Sequence, residues 1–160
     1  MRTFLVPGLL WFSAIGTGLM AGVYFAFSTF VMAALGRIAP ASGMAAMNAI
    51  NVDIVRSSFL PLFLATTVAA GLIAVAGALR WGEPGAPAMI ADGTIYLLGM
   101  FGVTMFFNVP FNDALAAAGN GPGSAATWAR YLRDWTMWNH VRTLSSVVAL
   151  GLYVAALVQR

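Results

Sequence analysis

Trp-Ala-Arg-Tyr-Leu-Arg-Asp-Trp-Thr-Met-Trp-Asn-His-Val-Arg-Thr-Leu-Ser-Ser, residues 128–146, holds three of the chain's five Trp, its only His and three of its eight basic residues. At about 100° per helical residue, Trp135, Asn139, Arg142 and Ser146 fall within a sector of about 60°. A polar stripe therefore enters a helix that is otherwise Val, Leu and Ala. An ionisable group inside an apolar span is expensive, so it normally faces a bundle interior or a wet cavity and meets partners there. The stripe predicts a bundle in which other helices bring polar groups to Arg142 and Asn139.

The rest of the chain is apolar. Its 160 residues are 61% hydrophobic and 8% charged, whereas a soluble domain is typically about 25% charged. This composition is that of an integral membrane protein, and the even spacing of the apolar segments reads as one domain over residues 1–160. The absence of Cys excludes disulfides, thiolate metal sites and cysteine nucleophiles. The net charge of +3 comes entirely from Arg, scattered near segment ends, and reflects a shortage of acids more than a nucleic-acid surface. Arginines interleaved with aromatics at 128–135, beside a span, read as contact with lipid headgroups.

Four spans are predicted, at about 4–36, 57–79, 89–109 and 135–157. The first is roughly twice the length of a signal-peptide hydrophobic region and lacks a cleavage site, so it reads as retained. Ala14, Gly18 and Gly22 form a row of small residues that admits a neighbouring helix, and Tyr24 and Ser28 add a polar edge. Such rows, repeated at Gly99 and Gly102, suit packing within one bundle or between copies in a homo-oligomer. Residues 37–58 form a structured connector: Pro40 stops the first helix, and Ser42 is placed to cap a new turn at Gly43. Asp53 and Arg56, three apart, suit either a local ion pair or a functional role. Pro61 belongs in the first turn of the second span, where a missing donor is harmless. Asp92 falls near the start of the third span, where a helix N-terminus favours negative charge. Pro110 is expected to push Val109 out of the helical region and end that span, leaving Asn112 to cap a short helix over 113–118. Residues 119–123, Gly-Asn-Gly-Pro-Gly, form a break before an amphipathic turn and the fourth span.

Spans joined by short links run up, down, up, down, so the class is an all-α transmembrane four-helix bundle. That order puts Asn48, Asn51, Asp53, Arg56, Asn108, Asn112, Asp113, Trp138, Asn139, His140 and Arg142 at one mouth. The other end has only Arg2, Arg80, Glu83, Asp92 and Arg160. Convergence of separate segments on one mouth is what a site requires. Arg37, Arg56, Arg130 and Arg133 lie outside the spans on the polar side against three Arg on the other, which leans towards a cytoplasmic mouth in a bacterial cytoplasmic membrane. His140 lies about 100° round the helix from Asn139 and is a poor metal ligand alone. Asp53 and Asp113 could join it as a His-plus-carboxylate set, but their spacing does not demand it, so no metal is assigned. The tryptophans read mainly as interfacial anchors, with Trp138, beside Asn139, the exception most suited to stacking on a ligand.

Asn108-x-Pro110-x-Asn112 closing the third span, followed by Trp138-Asn139-x-x-Arg142 opening the fourth, resembles the anthrone oxygenase family of small four-span membrane proteins. The resemblance extends to the Gly-rich first span and to the connector around Asn51; Phe111 stands where many members have Leu. It implies conversion of an anthrone to an anthraquinone with dioxygen, needing neither metal nor flavin. Such a site uses a base, a cation for the developing enolate oxygen and flat apolar walls. On that basis Arg142 is expected to stabilise the anion, Asn139 and Asn112 to orient the substrate, Asp113 or His140 to act as base and Trp138 to serve as a wall. Asn108, Asn51, Asp53 and Tyr24 complete the expected surface for a hydrophobic small-molecule substrate. The alternative is a non-catalytic membrane module that binds a lipid, quinone or porphyrin, or assists a neighbouring enzyme. In it, Arg142 pairs with Asp53 or Asp113 in a structural network.

Overall fold

The computed structural model describes residues 2–119, 121 and 123–159, with side chains from residue 5 onward. The expectations for Asn120, Pro122, Arg160 and the side chain of Arg2 lie outside the described residues. Four helices are long and apolar enough to cross a membrane: Leu5–Leu35, Phe59–Ala78, Ala86–Ala118 and Ser124–Val158, here the first to fourth spans. A fifth, the connecting helix Pro40–Arg56, joins the first two. No strand occurs among the described residues, and the class is all-α.

The first and fourth spans pack along most of their length, as do the second and third. Leu64, Val68, Leu72 and Val75 form an exposed apolar strip on the second span, the pattern of a face turned to lipid. Inside, Leu10, Met20, Phe63, Ile73, Met89 and Met100 fill the main core. At the polar mouth a second core forms where the connecting helix folds over the span ends, with Met44 and Met47 against Trp128, Tyr131 and Trp135. Close approach of the second and third spans depends on Gly93, where a Cβ would collide with the Ala70 carbonyl oxygen and the Ala74 side chain.

Three boundaries differ from those expected. The connecting helix starts at Pro40 itself, after an extended Ala39 (ψ 135°), instead of at a Ser42 cap. Proline at the first helical position loses only a donor that has no intrahelical partner there. The fourth span begins at Ser124, after Gly123 at φ +95°, so the expected amphipathic turn is the first part of one 35-residue helix. The third span runs through Pro110 to Ala118, and Val109 keeps helical angles of φ −63° and ψ −49°. Just before it, Tyr96–Gly102 and Thr104–Asn108 are wound with i→i+5 hydrogen bonds. That wider winding shifts the backbone register where a proline ring would otherwise clash with the carbonyl of the preceding turn, so the helix continues.

Candidate functional site

The wide winding also sets the site. Phe27–Val31 in the first span is wound in the same way, at the level where Ser28 faces the fourth span. Such insertions rotate the following residues round the helix and recur at functional positions. Here they bring Ser28 and Thr104 to the inward stripe of the fourth span.

Asn139 is fully buried and Arg142 is 6% exposed. The Asn139 Nδ2 donates to the Tyr24 carbonyl oxygen and to Ser28 Oγ, both at 2.7 Å. Its Oδ1 accepts from Arg142 Nη2 at 2.7 Å, so one amide locks the guanidinium to the first span. Arg142 Nη1 reaches Thr104 Oγ1 at 3.4 Å. Two aromatic faces flank the cation, with Cζ 4.4 Å from the Tyr24 ring centroid and 5.0 Å from that of Trp135. A guanidinium stacks on such faces because of the ring quadrupole.

No carboxylate neutralises it. Among the described residues the ion pairs are Arg130–Asp134 and Arg133–Asp134, both at the surface. Arg142 Nε is buried with no acceptor, and so is Asn51 Nδ2 on the connecting helix. Both residues line a cavity of about 180 Å³ whose walls include Tyr24, Phe27, Phe63 and Trp135. An apolar chamber with two unmet donors, one of them cationic, is complementary to an anionic or strongly polarised oxygen on a flat apolar body.

Asn112 also lines this cavity, but its Oδ1 does not cap a helix. It accepts from Tyr131 Oη at 2.7 Å and from Trp135 Nε1 at 2.9 Å. Asn112→Leu strands both donors in the mouth core, at a cost of about 1–3 kcal/mol each. The expected result is a clearly lowered Tm in detergent; an unchanged Tm would mean those bonds contribute nothing.

The remaining expected residues are distributed as follows. Asn108 is buried one turn away and donates to the Trp135 carbonyl oxygen at 3.2 Å, holding the third span to the fourth rather than lining the cavity. Trp138 stacks on Phe107, centroids 3.6 Å apart, on the far side of the same helix pair. Asp53, Asp113 and His140 are exposed and absent from the cavity wall. No ion pair joins Asp53 to Arg56 or Arg142 to either aspartate among the described residues. No three His, Asp or Glu side chains lie close enough to share a metal ion among the described residues. Sequence reasoning missed Thr104 and the walls Phe27, Phe59 and Phe63, which carry no signal beyond their apolar spans.

A larger groove of about 670 Å³ opens between residues 106–118 and the start of the fourth span. Its charged group, Arg130, is exposed to solvent and tied to Asp134. The smaller chamber is therefore the chemically demanding one.

The family model described as anthrone oxygenase matches residues 51–152. The matched segment holds Asn51, Thr104, Asn112, Trp135, Asn139 and Arg142, while Tyr24 and Ser28 precede it. Comparison with curated proteins and with solved structures returns no match.

Proposed function

The chain belongs to the anthrone oxygenase family, and from that premise we propose that it is a membrane-embedded oxygenase acting on an acidic aromatic or phenolic ketone. The observation that supports this most is the buried Arg142, unpaired with any acid and with its Nε–H unmet, on the wall of an aromatic chamber. A methylene between aromatic rings is acidic, and its enolate is electron-rich enough to meet dioxygen without a cofactor. The chain's part is to hold the negative oxygen, keep the ring system flat and exclude water.

In this proposal Arg142 receives the enolate oxygen through its free Nε–H, and Asn139 fixes the guanidinium by its bond to Nη2. Asn51 supplies a second donor, and Tyr24 and Trp135 sandwich the cation while walling the chamber. Asp113 and His140 stand outside the chamber, so the substrate's proton passes to solvent rather than to either of them. A chamber of about 180 Å³ is below the roughly 300 Å³ at which drug-sized ligand pockets begin. A three-ring substrate therefore requires the connecting helix, which supplies Met47, Ile50, Asn51 and Ile54 to the wall, to swing outwards. Arg37, Arg56, Arg130 and Arg133 at this mouth support a cytoplasmic opening in a bacterial cytoplasmic membrane.

The test is oxygen consumption by the purified protein in detergent with anthrone, read against 10,10-dimethylanthrone, which has no acidic methylene. Uptake with the first alone, yielding the quinone, supports the proposal. No uptake with either, under conditions in which anthrone demonstrably binds, would leave a quinone-binding module with the same chamber.

A further inference from the structure

The mechanism proposed above leaves a second group of buried polar atoms unused. Asp92 is the seventh residue of the third span, counted from Ala86, and is fully buried. The expectation of an acid at a helix N-terminus thus gives way to an acid inside the bundle. Neither carboxyl oxygen makes a hydrogen bond beyond a glancing approach to the Gly93 N–H, and no basic side chain pairs with it among the described residues.

The other buried polar groups in this part of the bundle are hydroxyls. From the first span come Ser13 and Thr17, one turn apart; from the fourth, Tyr153. All three are fully buried with unpartnered oxygens. On its own helix, Tyr96 lies one turn further on and shares a 2.8 Å hydrogen bond with Thr66 of the second span. Tyr153 neighbours Asp92, Tyr96 and Ser13; Tyr96 in turn neighbours Tyr24 and Thr17. Tyr24 lies against Arg142. The Tyr24 hydroxyl donates to Met100 Sδ at 3.5 Å.

A lone carboxylate in such a place costs several kcal/mol. The neutral acid needs one acceptor for its proton and one donor for its carbonyl oxygen, and a hydroxyl is a group of both kinds. We propose that Asp92 is a proton-binding site inside the bundle, resting as the neutral acid among buried hydroxyls.

The infrared spectrum of the protein in lipid vesicles decides between the neutral acid and the carboxylate. The wild type should show the C=O stretch of a protonated carboxylic acid at neutral pH. That band should vanish in Asp92→Asn, which is nearly isosteric, and shift in Tyr153→Phe, which leaves the acid in place but removes its phenol. A carboxylate signature in the wild type, or an acid band that converts to carboxylate when sodium or potassium is added, would overturn the proposal in favour of a cation site. A wild type that shows the acid band but consumes no oxygen retains the proton site and refutes the oxygenase reading alone.

Discussion

Arg142→Met is expected to reduce kcat/KM for oxygen consumption by about 10²–10³, the usual effect of removing a preorganised donor to a developing oxyanion, while leaving Tm unchanged or raised. The two halves of that result come from different physics. The wild-type guanidinium is nearly fully buried with no carboxylate partner, so its desolvation is offset only by Asn139, Thr104 and two aromatic faces. Replacing a buried charge with an apolar side chain of similar length is commonly neutral or stabilising. The substitution leaves Asn139 Oδ1 without its donor, a cost of about 1–3 kcal/mol, smaller than or comparable to the desolvation relieved. A residue kept for the fold behaves in the opposite way, losing Tm when removed. Arg142→Lys should also lose most activity, because an ammonium cannot span Asn139 and Thr104 while presenting a third donor. Steady-state kinetics and thermal unfolding on the same preparations separate these outcomes; a fall in Tm with full activity would place Arg142 in the scaffold.

Trp135→Ala should have the largest effect on stability. Its ring stacks on Tyr131 with centroids 5.6 Å apart, packs against Phe27 at 5.7 Å, covers Arg142 and donates to Asn112. Its carbonyl oxygen is also the acceptor that ties Asn108 of the third span to the fourth. Removing the side chain leaves a large void in the mouth core, at about 3–5 kcal/mol, and opens the chamber. Tm should drop sharply. Trp135→Phe, which keeps the stack but not the Nε1 donor, should recover most of it. If alanine is tolerated with little loss, the mouth core is not the packed unit described here.

The parts of the structure legible in the sequence were those fixed by angular position on a single helix. The 3.6-residue period placed Trp135, Asn139, Arg142 and Ser146 on one face, and all four are buried there. Chain order then placed Asn51 and Asn112 at the same mouth, and both reach the chamber. What periodicity could not give was the choice of partner across helices. Asp113 follows Asn112 by one residue, a turn of about 100°, and that step carries it from the chamber to the surface. His140 is displaced from Asn139 in the same way. The acids expected to pair with Arg142 are therefore absent from its surroundings, and the cation stays unneutralised.

Two further features left no readable trace. The wide winding around Ser28 and Thr104 depends on how the packed helices accommodate an extra residue per turn, which composition does not encode. It also overrides the helix-ending signal of Pro110, so the third span is longer than its sequence suggests. Asp92 reads as an acid at a helix N-terminus because it lies close to the loop before the third span. Its burial follows from the closeness of the second and third spans at Gly93, a tertiary contact.

The most direct measurement of the central claim is calorimetric binding of a planar aromatic enolate, compared with its neutral O-methyl ether, to wild-type and Arg142→Met protein. The wild type should bind the anion at least tenfold more tightly than the ether, and the variant should bind both alike. Equal affinity in the wild type, or a preference that survives the loss of Arg142, would show that the buried guanidinium does not receive the substrate's negative oxygen.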